Sequence, residues 1–457
     1  MAATNHLLLM RNYFESGVTR PYTFRKEQLI KLKKVINENA HALQGALYTD
    51  LKKSPEETWI TETGFLLAEI NNALRNLRQW MHTERVGTNL LNLPSKSYVM
   101  TEPLGVVLII APWNYPMQLL FTPMVGAIAA GNCVVLKPSE FAPATSGVMK
   151  KIIETTFNNE YVHFVEGDGA AVIPAMMDSF VFDHIFYTGS TAVGKIIYQA
   201  AAKNLVPVTL ELGGKSPCIV EADADVAVAA KRIAMTKFSN AGQMCVAPDY
   251  LLVHASKKEE LVAAFKTALH HFFGSDASQS YEYGKIINQK QFDRLTAYLA
   301  QGDILAGGKT NREKLYIEPT LMDNVSMDSP IMKEEIFGPL LPILTFTTMQ
   351  EAKAIIAQNR NPLAFYVFTS GSKTAAEWLN AVSFGGGCVN NAVLHLTNHN
   401  LPFGGRGFSG SGNYHGKFSY DTFSHKKAVM KTPTWFDPAA KYPPFKGKLK
   451  LFQWLIK

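Results

Sequence analysis

Between residues 106 and 211 the chain sets short, unbroken β-branched runs against longer helix-like stretches, and few architectures accept that alternation. VVLIIAP and CVVLKPSE enclose the helical MVGAIAAG; YVHFVEG and HIFYTGS follow, each with helical sequence after it. A strand that is apolar at every position must be covered on both faces. A parallel sheet flanked by helices does this. The alternation restarts after residue 208 with VTLELGG, PCIVEA, DYLLVHA and LPILTF, with helices expected at DVAVAAKRIAMTKF and KEELVAAFKTALHHFF. The fold class is therefore expected to be α/β with parallel sheets. A boundary near 208–211 has no flexible linker to mark it. Ahead of this region, Leu29, Leu32, Ile36, Leu43 and Leu47 give residues 24–48 a helical stripe. A second helical stretch runs through ITETGFLLAEINNALRNLRQWM, and the tail after Pro433 reads as irregular.

At 457 residues the chain exceeds one ordinary core, which suggests roughly two or three domains. With 47% hydrophobic and 18% charged residues it has the composition of a globular protein. The net charge of +7 is spread along the chain, with no nucleic-acid signature. Cys133, Cys218, Cys245 and Cys388 lie far apart and form no CxxC pair, so neither a disulfide framework nor a zinc ribbon is expected. Sparse cysteine suits a reducing compartment. The N-terminal MAATNHLLLMRNYF has only four consecutive apolar residues, and no run approaches the ~20 that a membrane helix needs. The expected location is cytoplasmic.

GSTAVGKI, straight after HIFYT, nearly fits a phosphate loop, with Gly189, Gly194 and Lys195 in place. The last position is Ile196, where a hydroxyl is needed to hold Mg²⁺, so the P-loop reading is disfavoured. A strand, a glycine turn and a helix N-terminus still suit an anionic group. The plain alternative is a tight turn.

SNAGQMCVAPDY places Cys245 after a run of small and polar residues. A free cysteine is more often buried filler than a reagent. Three other stretches argue otherwise. ELGGKSP sets Glu211 at a strand end, before two glycines that admit close backbone approach. APWNYP sets Asn114 between Trp113 and Tyr115, at the end of a buried-looking strand. KEEIFGP sets Glu334 and Glu335 against Ile336 and Phe337. Singly, these are a surface carboxylate, a turn asparagine and a loop.

Together, and in this order, the chain resembles the aldehyde dehydrogenases over nearly its whole length. The resemblance rests on APWNYP (111–116), KPSE (137–140), YTGSTAVG (187–194), ELGGKSP (211–217), NAGQMC (240–245), EEIFGP (334–339) and LPFGG (401–405). The short N-terminal region and SGNYHGKFSYDTFSH (411–425) are most similar to the class 3 branch, which acts on medium- and long-chain aliphatic or aromatic aldehydes.

The resemblance implies two nucleotide-fold-like domains with a small bridging element. The NAD(P)-binding domain would span 1–81 and 101–208, and the catalytic domain 209–410. The bridging or oligomerisation element would span 82–100 and 411–440, ahead of a tail at 441–457. It implies NAD(P)⁺-dependent oxidation of an aldehyde to the carboxylate, with Cys245 as nucleophile, Asn114 as oxyanion donor and Glu211 as the base that activates water. Lys137 and Glu140 would lie on the adenosine ribose, which favours NAD while NADP is tolerated. Gly189 and Ser190 would turn beside the pyrophosphate, with Gly194 serving helix packing. Glu335 would meet the nicotinamide ribose, flanked by Phe337. A homodimer is implied, with no nucleic-acid partner.

Three positions depart from the common pattern: Met244, Tyr187 and Arg406. None removes a catalytic group, and Met244 is placed to line a substrate pocket. His395 and His399 stand at zinc spacing but lack the glutamate of HExxH, so no metal is expected. The tail mixes Lys441, Lys446, Lys448 and Lys450 with Phe445, Phe452 and Trp454. It is expected to pack on protein, with weak peripheral membrane contact as the second reading. The rival functions are a P-loop-like nucleotide-binding protein and a non-catalytic protein that keeps the fold.

Overall fold

The stripe of residues 24–48 is two helices. In the computed structural model, which describes residues 2–456, Tyr22–Glu38 and Ala40–Leu51 meet at Asn39, whose φ of −103° and ψ of 10° leave the helical basin. The Asn39 amide donates to the Val35 carbonyl at 2.9 Å, the local competition with helix bonding that makes asparagine a breaker. Met1 and Lys457, the outer ends of the expected first domain and tail, lie outside the described residues.

The second helical stretch also differs at its start. Pro55–Thr58 leads into a π-helical turn, Trp59–Thr63, before the regular helix Gly64–Trp80. The wide turn leaves Glu62 fully buried.

Strands β1 (Glu84–Val86) and β2 (Lys96–Pro103) pair antiparallel. Then β3 (Val106–Ile110), β4 (Cys133–Lys137), β5 (Val162–Phe164), β6 (His184–Thr188) and β7 (Val208–Glu211) form a parallel sheet in the order β7-β6-β3-β4-β5. Helices Pro116–Ala130, Pro143–Thr156, Gly169–Ser179 and Thr191–Ala202 make the crossovers. Every residue of β3, β4 and β6 is buried, which is why they read as unbroken apolar runs.

The second sheet takes β8 (Pro217–Val220), β9 (Tyr250–His254) and β10 (Asp303–Ala306). A two-residue ribbon, β11 (Thr310–Asn311) with β12 (Tyr316–Ile317), stands apart. β13 (Thr320–Asp323), β14 (Leu340–Phe346), β15 (Ala364–Phe368) and β16 (Gly386–Val389) complete the order β10-β13-β14-β9-β8-β15-β16, parallel except at β10. β17 (Gly410–Ser411) returns to the first sheet, where Gly410 pairs with Glu211. β18 (Ser424–Lys431) pairs with β2 and closes a three-stranded sheet, β1-β2-β18. One continuous apolar core runs through both large sheets.

The tail carries more structure than its composition suggests: a 3₁₀ turn at Ala439–Lys441 and a helix at Leu449–Leu455. Among the described residues no helix is long and apolar enough to cross a membrane.

Candidate active site

Four of the expected site positions stand at the carboxyl ends of neighbouring strands in the first sheet. Asn114 follows β3, Lys137 ends β4, Gly189 follows β6 and Glu211 ends β7. Chain order reverses between β3 and β6, and in an open parallel sheet such a reversal leaves a crevice at the carboxyl edge.

Cys245 comes from the second sheet's side of that crevice. Helix Val226–Phe238 ends in a turn where Asn240, Ala241 and Gly242 are all left-handed, with φ of 49°, 51° and 74°. An ordinary residue pays about 1–2 kcal/mol for that conformation, so the surroundings must hold it there. Glu57 accepts from the Asn240 N–H at 2.7 Å and from the Ser239 hydroxyl at 3.0 Å. The Asn240 amide donates to the carbonyls of Asn114 (2.9 Å) and Gln243 (3.1 Å). Gln243, fully buried, donates to the Asn240 and Lys285 carbonyls and accepts from the Ile287 N–H, each at 3.0 Å. At Gly242 a Cβ would also strike the Gly338 carbonyl.

So constrained, the loop presents Cys245, partly buried, to a cavity of about 420 Å³. Its walls are mostly apolar and include Phe65, Tyr115, Leu119, Met235 and Phe272; Met244 lines it, as expected. Glu56, Glu57 and Glu282 also line it.

Burial pushes the Cys245 thiol well above its ordinary pKa, and the charges of Glu335 and Glu211 push it further. Glu211 is 2% exposed, and neither carboxylate oxygen has a hydrogen-bond partner. Burial holds it well above the usual carboxylate range. Asn114 is buried too; its Nδ2 donates one proton to the Gln243 carbonyl at 3.1 Å, and its Oδ1 has no partner. Buried polar atoms are rarely left unmatched, so these groups suit a bound reactant.

The other side of the crevice fits a dinucleotide. Lys137 Nζ donates to the Pro138 carbonyl at 2.5 Å and pairs with Glu140 at 3.3 Å. Glu140 in turn accepts from the Gly169 N–H at 3.4 Å. Ser190 caps helix Thr191–Ala202 by accepting from the Val193 N–H, and Gly189 donates to the Glu211 carbonyl at 3.0 Å. That helix N-terminus favours negative charge. Gly194 sits inside the helix, where a Cβ would come within 2.6 Å of Leu212 Cδ2; its contribution is packing. Glu335 lies over Gly213 so closely that any Cβ there would strike its carboxylate, and its Oε1 has no partner. Burial and the charge of Asp249 raise Glu335 to about 8. Phe337 sits edge-on to Trp113 at 5.4 Å.

Asn114, Lys137, Gly189 and Glu211 thus stand at strand ends of one sheet, Cys245 lines the cavity and Glu335 lies against Gly213; other residues nearby were missed by sequence reasoning. Lys215 forms a buried ion pair with Asp249 and donates to the carbonyls of Ile331 (2.8 Å) and Glu334 (3.0 Å). Asp249 accepts from the Ile336 N–H at 3.0 Å, so this pair anchors the loop that carries Glu335. Lys215, Gln243 and Asp249 stood inside stretches already singled out, and their membership of those motifs was the available signal. Lys53, Glu57 and Glu62 carried none. His395 and His399 do not converge: His395 Nδ1 lies 3.6 Å from Cys388 Sγ, while His399 bonds Glu69 at 3.1 Å. Cys388 is therefore half-buried beside an imidazole rather than sealed in apolar core.

Known proteins resemble this chain in sequence and in fold. The sequence profile described as Aldehyde dehydrogenase family matches residues 11–429. The 4,4'-diaponeurosporen-aldehyde dehydrogenase of Staphylococcus aureus (strain NCTC 8325 / PS 47) is 48% identical over 447 residues, 97% of each chain. The dimeric, NADP-preferring aldehyde dehydrogenase of Mus musculus is 43% identical over 441 residues, 96% of this chain and 97% of the mouse protein. The solved substrate-bound state of Staphylococcus aureus AldH matches with a TM-score of 0.97 at 46% identity, covering 99% of both chains. Likeness of that extent, in sequence and in backbone alike, leaves one conclusion: the chain belongs to the aldehyde dehydrogenase family and is an NAD(P)-dependent aldehyde dehydrogenase.

Proposed function

We propose that the chain oxidises medium- or long-chain aliphatic or aromatic aldehydes, with Cys245 as nucleophile, Asn114 as oxyanion donor and Glu211 as general base. The observation that carries this reading is the mostly apolar cavity that Cys245 lines. An aldehyde yields hydride poorly from its planar carbonyl. Addition of the Cys245 sulfur, whose proton passes to water in the open cavity, makes a tetrahedral alkoxide, whose collapse expels hydride and leaves a thioester. The free proton of the Asn114 amide and the main-chain N–H of Cys245 face the alkoxide; one such donor is worth about 2.7–4 kcal/mol of barrier. Glu211 takes a proton from water, the resulting hydroxide attacks the thioester, and the carboxylate departs as the thiol returns. A carboxylate whose pKa is raised by burial is a stronger base than one in water.

Bound NAD⁺, with NADP⁺ tolerated, would supply the hydride acceptor. Lys137 and Glu140 would hold its adenosine ribose, the Gly189–Ser190 turn its pyrophosphate, and Glu335 and Phe337 its nicotinamide end. Gly194 lets the supporting helix sit close to Leu212.

The test follows NADH formation against aliphatic, aromatic and polyene aldehydes. Cys245→Ala forms none. Glu211→Gln gives a first-turnover burst, followed by a steady state slower by on the order of 10²–10⁴-fold, because the thioester accumulates. A Glu211→Gln protein at full steady-state rate would mean that another group serves as base.

The same reading takes residues 1–81 with 101–208 as the cofactor domain, 209–410 as the catalytic domain and 82–100 with 411–440 as the bridge of a cytoplasmic homodimer. The partly exposed sheet β1-β2-β18, with Met100 and Val429 on it, supports the bridge. The tail 441–457 packs on protein; liposome co-sedimentation that depends on this tail would favour lipid instead.

A further inference from the structure

One charged pair has no part in the chemistry above. Lys53 and Glu62 are each 0% exposed and join through Nζ and Oε1 at 2.8 Å. They lie in the segment between helices Ala40–Leu51 and Gly64–Trp80, and the π-helical turn Trp59–Thr63 carries Glu62. Such wide turns recur at functional sites. A buried ion pair adds little stability, because desolvating two charges costs about as much as their attraction contributes. What the pair touches is therefore the informative part.

Lys53 donates a second proton to the main-chain carbonyl of Asn114 at 2.9 Å, and its ammonium lies 3.8 Å from the centre of the Tyr115 ring. Glu62 Oε2 accepts from the N–H groups of Met117 (3.2 Å) and Gln118 (2.8 Å). These are among the first free amides of helix Pro116–Ala130, whose own N-cap, Tyr115, supplies no side-chain cap. The turn is gripped at the carbonyl before Tyr115 and at two amides after it. By contrast the Asn114 side chain has one tether, to the Gln243 carbonyl at 3.1 Å.

We infer that Lys53 and Glu62 are positioning residues for Asn114: by fixing its main chain from both sides of the turn, they hold its carboxamide where the reacting oxygen gains charge. The inference rests on the oxyanion role proposed above. It matters because an oxyanion donor works only within ~2.7–3.1 Å of its target, and a misplacement of about 1 Å costs on the order of 10²-fold in rate. The competing explanation is a folding staple that acts on the whole protein alike.

A mutant cycle separates the two. Lys53→Met/Glu62→Gln removes both charges together, so neither stays buried alone. The rate of the NADH burst is measured in this protein, in Asn114→Ala and in the triple variant, with NADH binding followed by fluorescence. The expected result is a burst slowed by on the order of 10–10²-fold in Lys53→Met/Glu62→Gln, with NADH affinity unchanged. The triple variant should be no slower than Asn114→Ala. A wild-type burst in Lys53→Met/Glu62→Gln overturns the inference. So do losses that multiply in the triple variant while Asn114→Ala alone is slow, and the oxyanion reading then stands. An Asn114→Ala protein with the wild-type burst overturns that reading and this inference with it. If Lys53→Met/Glu62→Gln fails to bind NADH, the cycle is run on Lys53→Arg, which keeps the charge without its point geometry, and the same outcomes decide.

Discussion

Glu335 and Glu211 make the stability of the cofactor-free protein depend on pH in an unusual direction. Both carboxyls are raised by burial, Glu335 to about 8, whereas the unfolded chain ionises them near ~4.3. Over that interval the folded state binds more protons than the unfolded state, so stability falls as pH rises. Buried His184 and His415 act oppositely: burial lowers each to about 4, so they favour the fold as pH climbs from 4 to their unfolded value near ~6.5. Above about pH 6.5 the carboxylates lower stability as pH rises, and buried Lys237, lowered to about 8, opposes them only as pH nears that value. The urea midpoint is expected to drop from pH 6.5 to pH 8, and Glu335→Gln to flatten that drop; a midpoint that rises would refute the assignment. The same residues mark how far a site can be read from sequence. Cys245, Glu211 and Asn114 were legible because the motifs around them, taken together and in order, resemble those of the aldehyde dehydrogenases; singly they read as buried filler, a surface carboxylate and a turn asparagine. Lys53 and Glu62 were not, because in a helical pattern a lysine and a glutamate look like a solvated face. Only the packing of residues 53–62 against the Asn114 turn buries them.

At the scale of elements, strands were the readable part. β3, β4 and β6 are covered on both faces, so their sequences carry one unmixed signal. Breaks were less readable: the stripe of Leu29 to Leu47 runs across Asn39 because each helix buries aliphatic residues at helical spacing. The nucleophile turn is the element most exposed to substitution. Gly242→Ala is expected to cost at least about 1–2 kcal/mol from its left-handed φ of 74°, before the clash with the Gly338 carbonyl is counted. Chemical denaturation measures that loss, and turnover should fall with it because Cys245 lies three residues on. The helix Thr191–Ala202 offers a milder case. Ser190→Ala removes its cap and should cost about 0.5–1 kcal/mol, toward the low end because the bond is exposed at 3.4 Å.

For the whole molecule, β18 leaves an open edge on the small sheet, with Val429 at 38% and Met430 at 50% exposure. Exposed strand edges invite pairing with another chain. Replacing both residues with lysine should shift light-scattering mass toward the monomer while NADH still binds; an unchanged mass would place the subunit contact elsewhere. The cavity has a consequence of its own. Its aromatic and aliphatic walls suit an uncharged aldehyde, and Glu56, Glu57 and Glu282 stand along the same channel. Once oxidised, the molecule inside carries a carboxylate in a mostly apolar passage edged by other carboxyl groups. Its walls offer that charge mostly apolar groups, so accumulated product is expected to inhibit this enzyme poorly, and a product inhibition constant below the aldehyde KM would refute this.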